Sequence, residues 1–99
     1  MKGYIIVEIE VHNPQEYEGY KLLSAASLKP YNGRFIVRGG KAETLEGEGN
    51  PKRIVVLEFP SVENAKAWWS SQEYAPAKKL RQQHASSRMI VVEGFEETT

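Results

Sequence analysis

The chain opens on alternation. In residues 4–11, YIIVEIEV, Ile5, Val7, Ile9 and Val11 fall on one side, and Tyr4, Ile6, Glu8 and Glu10 on the other. That two-residue period predicts a strand. His12-Asn13-Pro14 then signals a helix start, with Asn13 as N-cap, Pro14 at the first helical position and Glu16 three residues after the cap. The helix is expected to run to about Lys29, because Pro30 disfavours helical geometry at the residue before it. Tyr17, Tyr20, Leu23 and Leu28 share one broad side of it; Leu22 and Ala26 fall off that side.

Tyr31-Asn32-Gly33 reads as a turn, and alternation resumes from Arg34 to Arg38. There Phe35 and Val37 oppose Arg34, Ile36 and Arg38. Residues 52–59, KRIVVLEF, predict a third strand, Val55, Leu57 and Phe59 against Ile54, Val56 and Glu58. Ser61 caps the next helix, and Glu63 sits in its first turn, where the dipole favours an acid. Val62, Ala65 and Trp69 form a stripe there. Adjacent residues are ~100° apart around a helix, so Trp68 and Trp69 cannot both centre the core contact. Ser71 caps a second segment with Tyr74, Ala77, Leu80, Arg81 and His84 on one side. Residues 88–93, RMIVVE, predict the last strand.

The order β-α-β-β-α-β is the ferredoxin-like, split βαβ pattern: an α+β fold with an antiparallel sheet and helices on one face. Residues 1–95 are expected to form one domain and residues 96–99 a frayed tail. Helices cover only one face of such a sheet. The other would carry Tyr4, Ile6, Ile36, Ile54 and Val56, with Met89 and Val91 from the last strand. A bare patch of that kind is unusual in a monomer. A second copy packed sheet against sheet, through a self-complementary two-fold interface, would cover it.

Composition adds exclusions. Lys+Arg and Asp+Glu both count 13, so no net charge draws nucleic acid or an anionic membrane. There is no cysteine, hence no disulfide, thiolate chemistry or Cys-based metal site. His12 and His84 are too few and too far apart in sequence to suggest a metal centre. No signal peptide is recognisable at the start and no run reaches membrane-spanning length, so the expected location is cytoplasmic. A Gly-rich phosphate loop, a Ser elbow and HExxH are all missing, and no cofactor is expected.

GRFIVRGG, TLEG, RIVVLEFPS and the AWW-S-EY---KKLR segment together resemble an uncharacterised family of small dimeric α+β-barrel proteins, described only as a domain of unknown function. The likeness runs from Gly3 to Gly94. It implies a ferredoxin-like fold in which two chains close a barrel. The wider superfamily includes cofactor-independent monooxygenases, haem-degrading enzymes and muconolactone-isomerase-like proteins. Haem-degrading members use an Asn on the first strand with a Trp and a His on the helices. Trp68 or Trp69 and His84 could supply two of these, but the first strand has no Asn; Glu8 lies in that region.

The Arg-Gly-Gly at residues 38–40 occurs once, in an ordered and neutral chain, unlike the repeated boxes that bind RNA. Gly39-Gly40 is expected to form a bulge, with the strand resuming through Ala42 to Leu45. Arg38 would then aim at the barrel mouth, where its guanidinium suits a carboxylate: Glu58, Glu8 or a small acid. Two readings follow. A cofactor-free enzyme would bind an acidic or planar molecule through Arg38 and move a proton with Glu58 or His84, while Tyr4, Glu8, Arg34, Trp68 and Tyr74 line the pocket. A non-catalytic metabolite-binding or structural dimer would instead use these charges as ion pairs. A pocket of about 300 Å³ beside Arg38 would favour the enzyme.

Overall fold

The computed structural model describes residues 1–96; the end of the expected tail, residues 97–99, lies outside the described residues. Four strands build the sheet: β1 (Gly3–Val11), β2 (Arg34–Arg38), β3 (Arg53–Phe59) and β4 (Ala85–Glu93). Their order is β2-β3-β1-β4, and every pair is antiparallel. The helices α1 (Pro14–Leu28), α2 (Val62–Trp69) and α3 (Ala75–His84) pack on one face, with a short 3-10 turn over Lys29–Tyr31. The caps form as expected: Glu16 N donates to Asn13 Oδ1 at 3.4 Å and Asn64 N to Ser61 Oγ at 3.0 Å. The Cα positions span 46 × 39 × 16 Å, a thin two-layer slab with one uncovered side.

Strand β4 starts three residues before the expected Arg88. Ala85, Ser86 and Ser87 pair with Val11, Glu10 and Ile9, and His12 N donates to the carbonyl of His84 at 2.8 Å. These short residues carry no apolar alternation, so the pattern hid them.

The core lies between the helices and Ile5, Val7, Ile9, Val55, Leu57 and Phe59 of the sheet. Trp68, not Trp69, centres the α2 contact: Trp68 is fully buried, while Trp69 is 44% exposed. On α1, Leu23 lies outside the core and Ser24 and Ser27 lie inside it. The indole explains the exchange. Trp68 Nε1 donates to Ser27 Oγ at 2.9 Å, and that hydroxyl donates to the Ser24 carbonyl at 2.7 Å. A leucine there would leave the buried indole N–H unpaired. Ser27→Ala is accordingly expected to cost about 1–3 kcal/mol, read as a lower midpoint in urea.

The uncovered face carries Tyr4, Ile6, Glu8 and Glu10 of β1, with Ile54, Val56 and Glu58 of β3 opposite them. From β4 it carries Arg88, Ile90 and Val92. Met89 and Val91 pair with Val7 and Ile5 and turn to the helix side, contrary to expectation. RMIVVE is apolar at both parities, so only the register set by the early start of β4 decides which residues face out.

The irregularity in β2 also differs from expectation. The bulge falls between Phe35 and Val37, not at Gly39-Gly40. Ile36 is the extra residue, so Ile36 and Val37 together oppose Val56 on the uncovered face. No strand resumes at Ala42; residues 39–52 form an extended loop.

Candidate functional site

The bulge reverses the parity of everything after it. Arg38 pairs with Val55 and therefore points to the helix side, not to the uncovered face. Its guanidinium lies 4.1 Å from the centre of the Phe35 ring, and Nη2 reaches the Lys21 carbonyl at 3.5 Å. Arg53, opposite Ile9, points to the same side. Gly39 makes room for it. Residue 39 has φ +71°, and a side chain there would collide with the Arg53 guanidinium. Gly40 meets no such neighbour. The first glycine of the Arg-Gly-Gly thus serves both a left-handed turn and the approach of a second arginine.

These groups border a cleft between α1 and β2–β3, lined by Lys21, Arg38 and Arg53 with Tyr17, Tyr20 and Ser24. Its volume is about 20 Å³, room for a water or one carboxylate oxygen and far below a pocket that encloses a metabolite. Deeper in, Arg81 is buried, donates from Nε to Tyr74 Oη at 3.3 Å, and also bonds Ser87 Oγ. Tyr74 Oη lies 3.0 Å from Tyr20 Oη. Arg53 Nε is buried without a hydrogen-bond partner. Among the described residues no carboxylate comes within ion-pair distance of Arg38, Arg53 or Arg81. Burial, with the Tyr20 phenol beside it, pushes Tyr17 up to about 12 against the pull of Arg53. Burial likewise raises Tyr74. Both phenols are neutral donors near pH 7, so the cluster is cationic and rich in donors.

The other expected site residues lie elsewhere. Glu58 is on the uncovered face, where Arg34 Nε donates to its Oε1 at 2.9 Å and Lys2 Nζ at 3.4 Å. The Arg34 bond holds its carboxyl below the usual range. That pair therefore contributes fully near neutrality and fades as pH falls through the folded value. His84 ends α3, its carbonyl taken by His12 and Asn13. Arg38, Glu58 and His84 are thus not brought together within one chain. Tyr4 and Glu8 stand on the uncovered face, Glu8 opposite Arg88. Trp68 and Tyr74 are fully buried, with ring centres 4.0 Å apart, and serve the core.

The profile of DUF1330, a domain of unknown function, matches residues 2–95. The chain belongs to the DUF1330 family. No curated protein matches it. Among solved structures, the DUF1330 chain is similar to RPA0582, a protein of unknown function from Rhodopseudomonas palustris. The TM-score is 0.76 at 18% identity, covering 97% of this chain and 84% of that one. It is similar also to SnoaB, a cofactor-independent oxygenase from Streptomyces nogalater (TM-score 0.69, 12% identity, 97% and 95% covered). A dimeric protein of unknown function and ferredoxin-like fold from Bacteroides fragilis matches at TM-score 0.64 and 14% identity, with 94% and 96% covered. At these identities the likeness establishes the α+β, ferredoxin-like fold of this DUF1330 chain. No helix among its described residues is long and apolar enough to cross a membrane.

Sequence reasoning missed Arg53, Arg81, Tyr17, Tyr20 and Lys21 as partners of Arg38. A signal existed. Arg53 shares parity with Val55 and Leu57, and Arg81 stands in the Ala77 stripe. Each is a charge at a core position with no acid of matching parity nearby, a combination that calls for a counter-ion.

Proposed function

We propose that the protein is a homodimer, closed through the uncovered sheet face, and that each copy binds a small organic acid at the cleft between α1 and β2–β3. One observation carries the binding reading: Arg38, Arg53 and Lys21 line one cleft, and no carboxylate among the described residues lies within ion-pair distance of either arginine. Buried guanidinium left without a counter-charge is costly, and an incoming carboxylate offsets that cost. The cleft takes the acid group, and the remainder of the ligand lies over the exposed Arg38 and the half-buried Lys21, itself paired with Glu18, at its mouth. The homodimer draws on the apolar face and on the dimeric Bacteroides fragilis neighbour.

Binding without catalysis is favoured because Glu58 and His84, the groups suited to moving a proton, stand away from the cleft. Cofactor-free, monooxygenase- or isomerase-like turnover of the bound acid is the second reading; the fold likeness to SnoaB favours it.

A thermal-shift screen of mono- and dicarboxylates tests the proposal. An acid at a hundredfold its Kd stabilises by about 2.7 kcal/mol, roughly a 10 °C rise in Tm. Arg38→Ala is expected to abolish that rise while lowering the unliganded Tm by only a few degrees, since it loses one exposed cation–π contact of about 0.5–1 kcal/mol and a long, exposed bond to the Lys21 carbonyl. A panel without any shift, or a shift that survives in Arg38→Ala, would refute the site.

A further inference from the structure

The TLEG segment, residues 44–47, has no part in the cleft. It belongs to the loop of residues 39–52, which leaves the sheet at the β2 edge and is long for a hairpin connection. The loop is nonetheless shaped. Thr44 Oγ1 donates to the Gly49 carbonyl at 2.8 Å, and Gly47 and Gly49 take φ of +102° and +88°. That closed turn presents Leu45, which is 96% exposed. A leucine held out from the sheet edge by a closed turn stands clear of its own fold and free to meet another surface.

A receiver of suitable chemistry lies at the opposite edge of the sheet. Trp69 and Lys66 of α2, with Met89 and Val91 of β4, line an apolar groove of about 130 Å³, large enough for one aliphatic side chain. Trp69 and Val91 are part-exposed there. Lys66 borders the groove, and Lys78 Nζ lies 3.9 Å from the centre of the Trp69 ring. The turn carries Glu46 and Glu48 beside Leu45, and Glu43 pairs with Lys41 of the same loop, so charge and apolarity both match. Within one chain, β3 and β1 separate the β2 edge from the β4 edge. Two sheets face to face about an axis along the strands instead set the β2 edge of one copy over the β4 edge of the other.

We infer that each copy seats Leu45 in the second copy's groove between Trp69 and Val91, its glutamates against the second copy's Lys66 and Lys78. The arm thereby latches the dimer from outside the sheet interface. This rests on the homodimer proposed above. The native chain has no cysteine, so Leu45→Cys and Lys66→Cys report cleanly. Mixed single-cysteine variants under mild oxidation are expected to give a disulfide-linked heterodimer, and the double variant a linked homodimer. Leu45→Asp, at a position that touches nothing in its own fold, is expected to weaken the dimer about tenfold to a hundredfold. If the unmodified protein sediments as a dimer but the mixed cysteines do not link, or the double variant links only within one chain, the latch is wrong and the dimer stands. A monomer in sedimentation overturns both.

Discussion

Ile54→Asp is expected to yield monomers or insoluble protein. Ile54 lies on the uncovered face near the start of β3, opposite Glu8, with the Ile6–Val56 pair next along the strands and Val37 and Ile90 extending the patch. Burying each large aliphatic side chain stabilises by roughly 1.5–3 kcal/mol. Several such residues per copy outweigh the association cost, so the face is worth covering. A two-fold interface would meet the new carboxylate twice, once from each copy. Unpaired burial at several kcal/mol per ion raises the dimer Kd by roughly a thousandfold or more. Light scattering coupled to size exclusion reads the change directly. An unaltered dimer in Ile54→Asp would place the interface on another surface.

The largest effect within the chain is expected from Trp68→Ala. The side chain is fully buried, 4.0 Å from the Tyr74 ring centre and 5.6 Å from that of Phe59. Its N–H holds the Ser27–Ser24 bond in α1, so the indole ties α2 to both other helices and to β3. Truncation removes the packing and takes the indole donor from the Ser27 hydroxyl, at a cost of about 3–5 kcal/mol. A domain of this size has little more than that in reserve, so the variant is expected to be largely unfolded at 37 °C by circular dichroism. Trp69→Ala, stripped only of a half-exposed ring and the Lys78 contact, serves as the mild comparison.

The architecture was legible in the sequence because its signals are local. Two-residue alternation, the Asn13 and Ser61 caps and the turn before Arg34 each depend on a few adjacent residues. Misplacements arose wherever position depends on partners distant in sequence. The face of Met89 is set by its pairing with Val7, which an apolar run such as RMIVVE cannot reveal. The choice of Trp68 over Trp69 depends on Ser27, forty-one residues earlier. The bulge at Ile36 was the most consequential. One extra residue moved Arg38 from the uncovered face to the helix side and into the company of Arg53, dissolving the expected grouping with Glu58. Helical position gave Tyr17 and Tyr20 as core residues, and only the assembled sheet shows that they also border a cationic cleft.

Sedimentation equilibrium of the unmodified protein bears most directly on the sheet-to-sheet assembly. A single species of twice the 11.2 kDa chain mass, persisting through the micromolar range, is the expected result. A species of one chain mass at those concentrations would leave Ile6, Ile54 and Val56 wetted by solvent and contradict it.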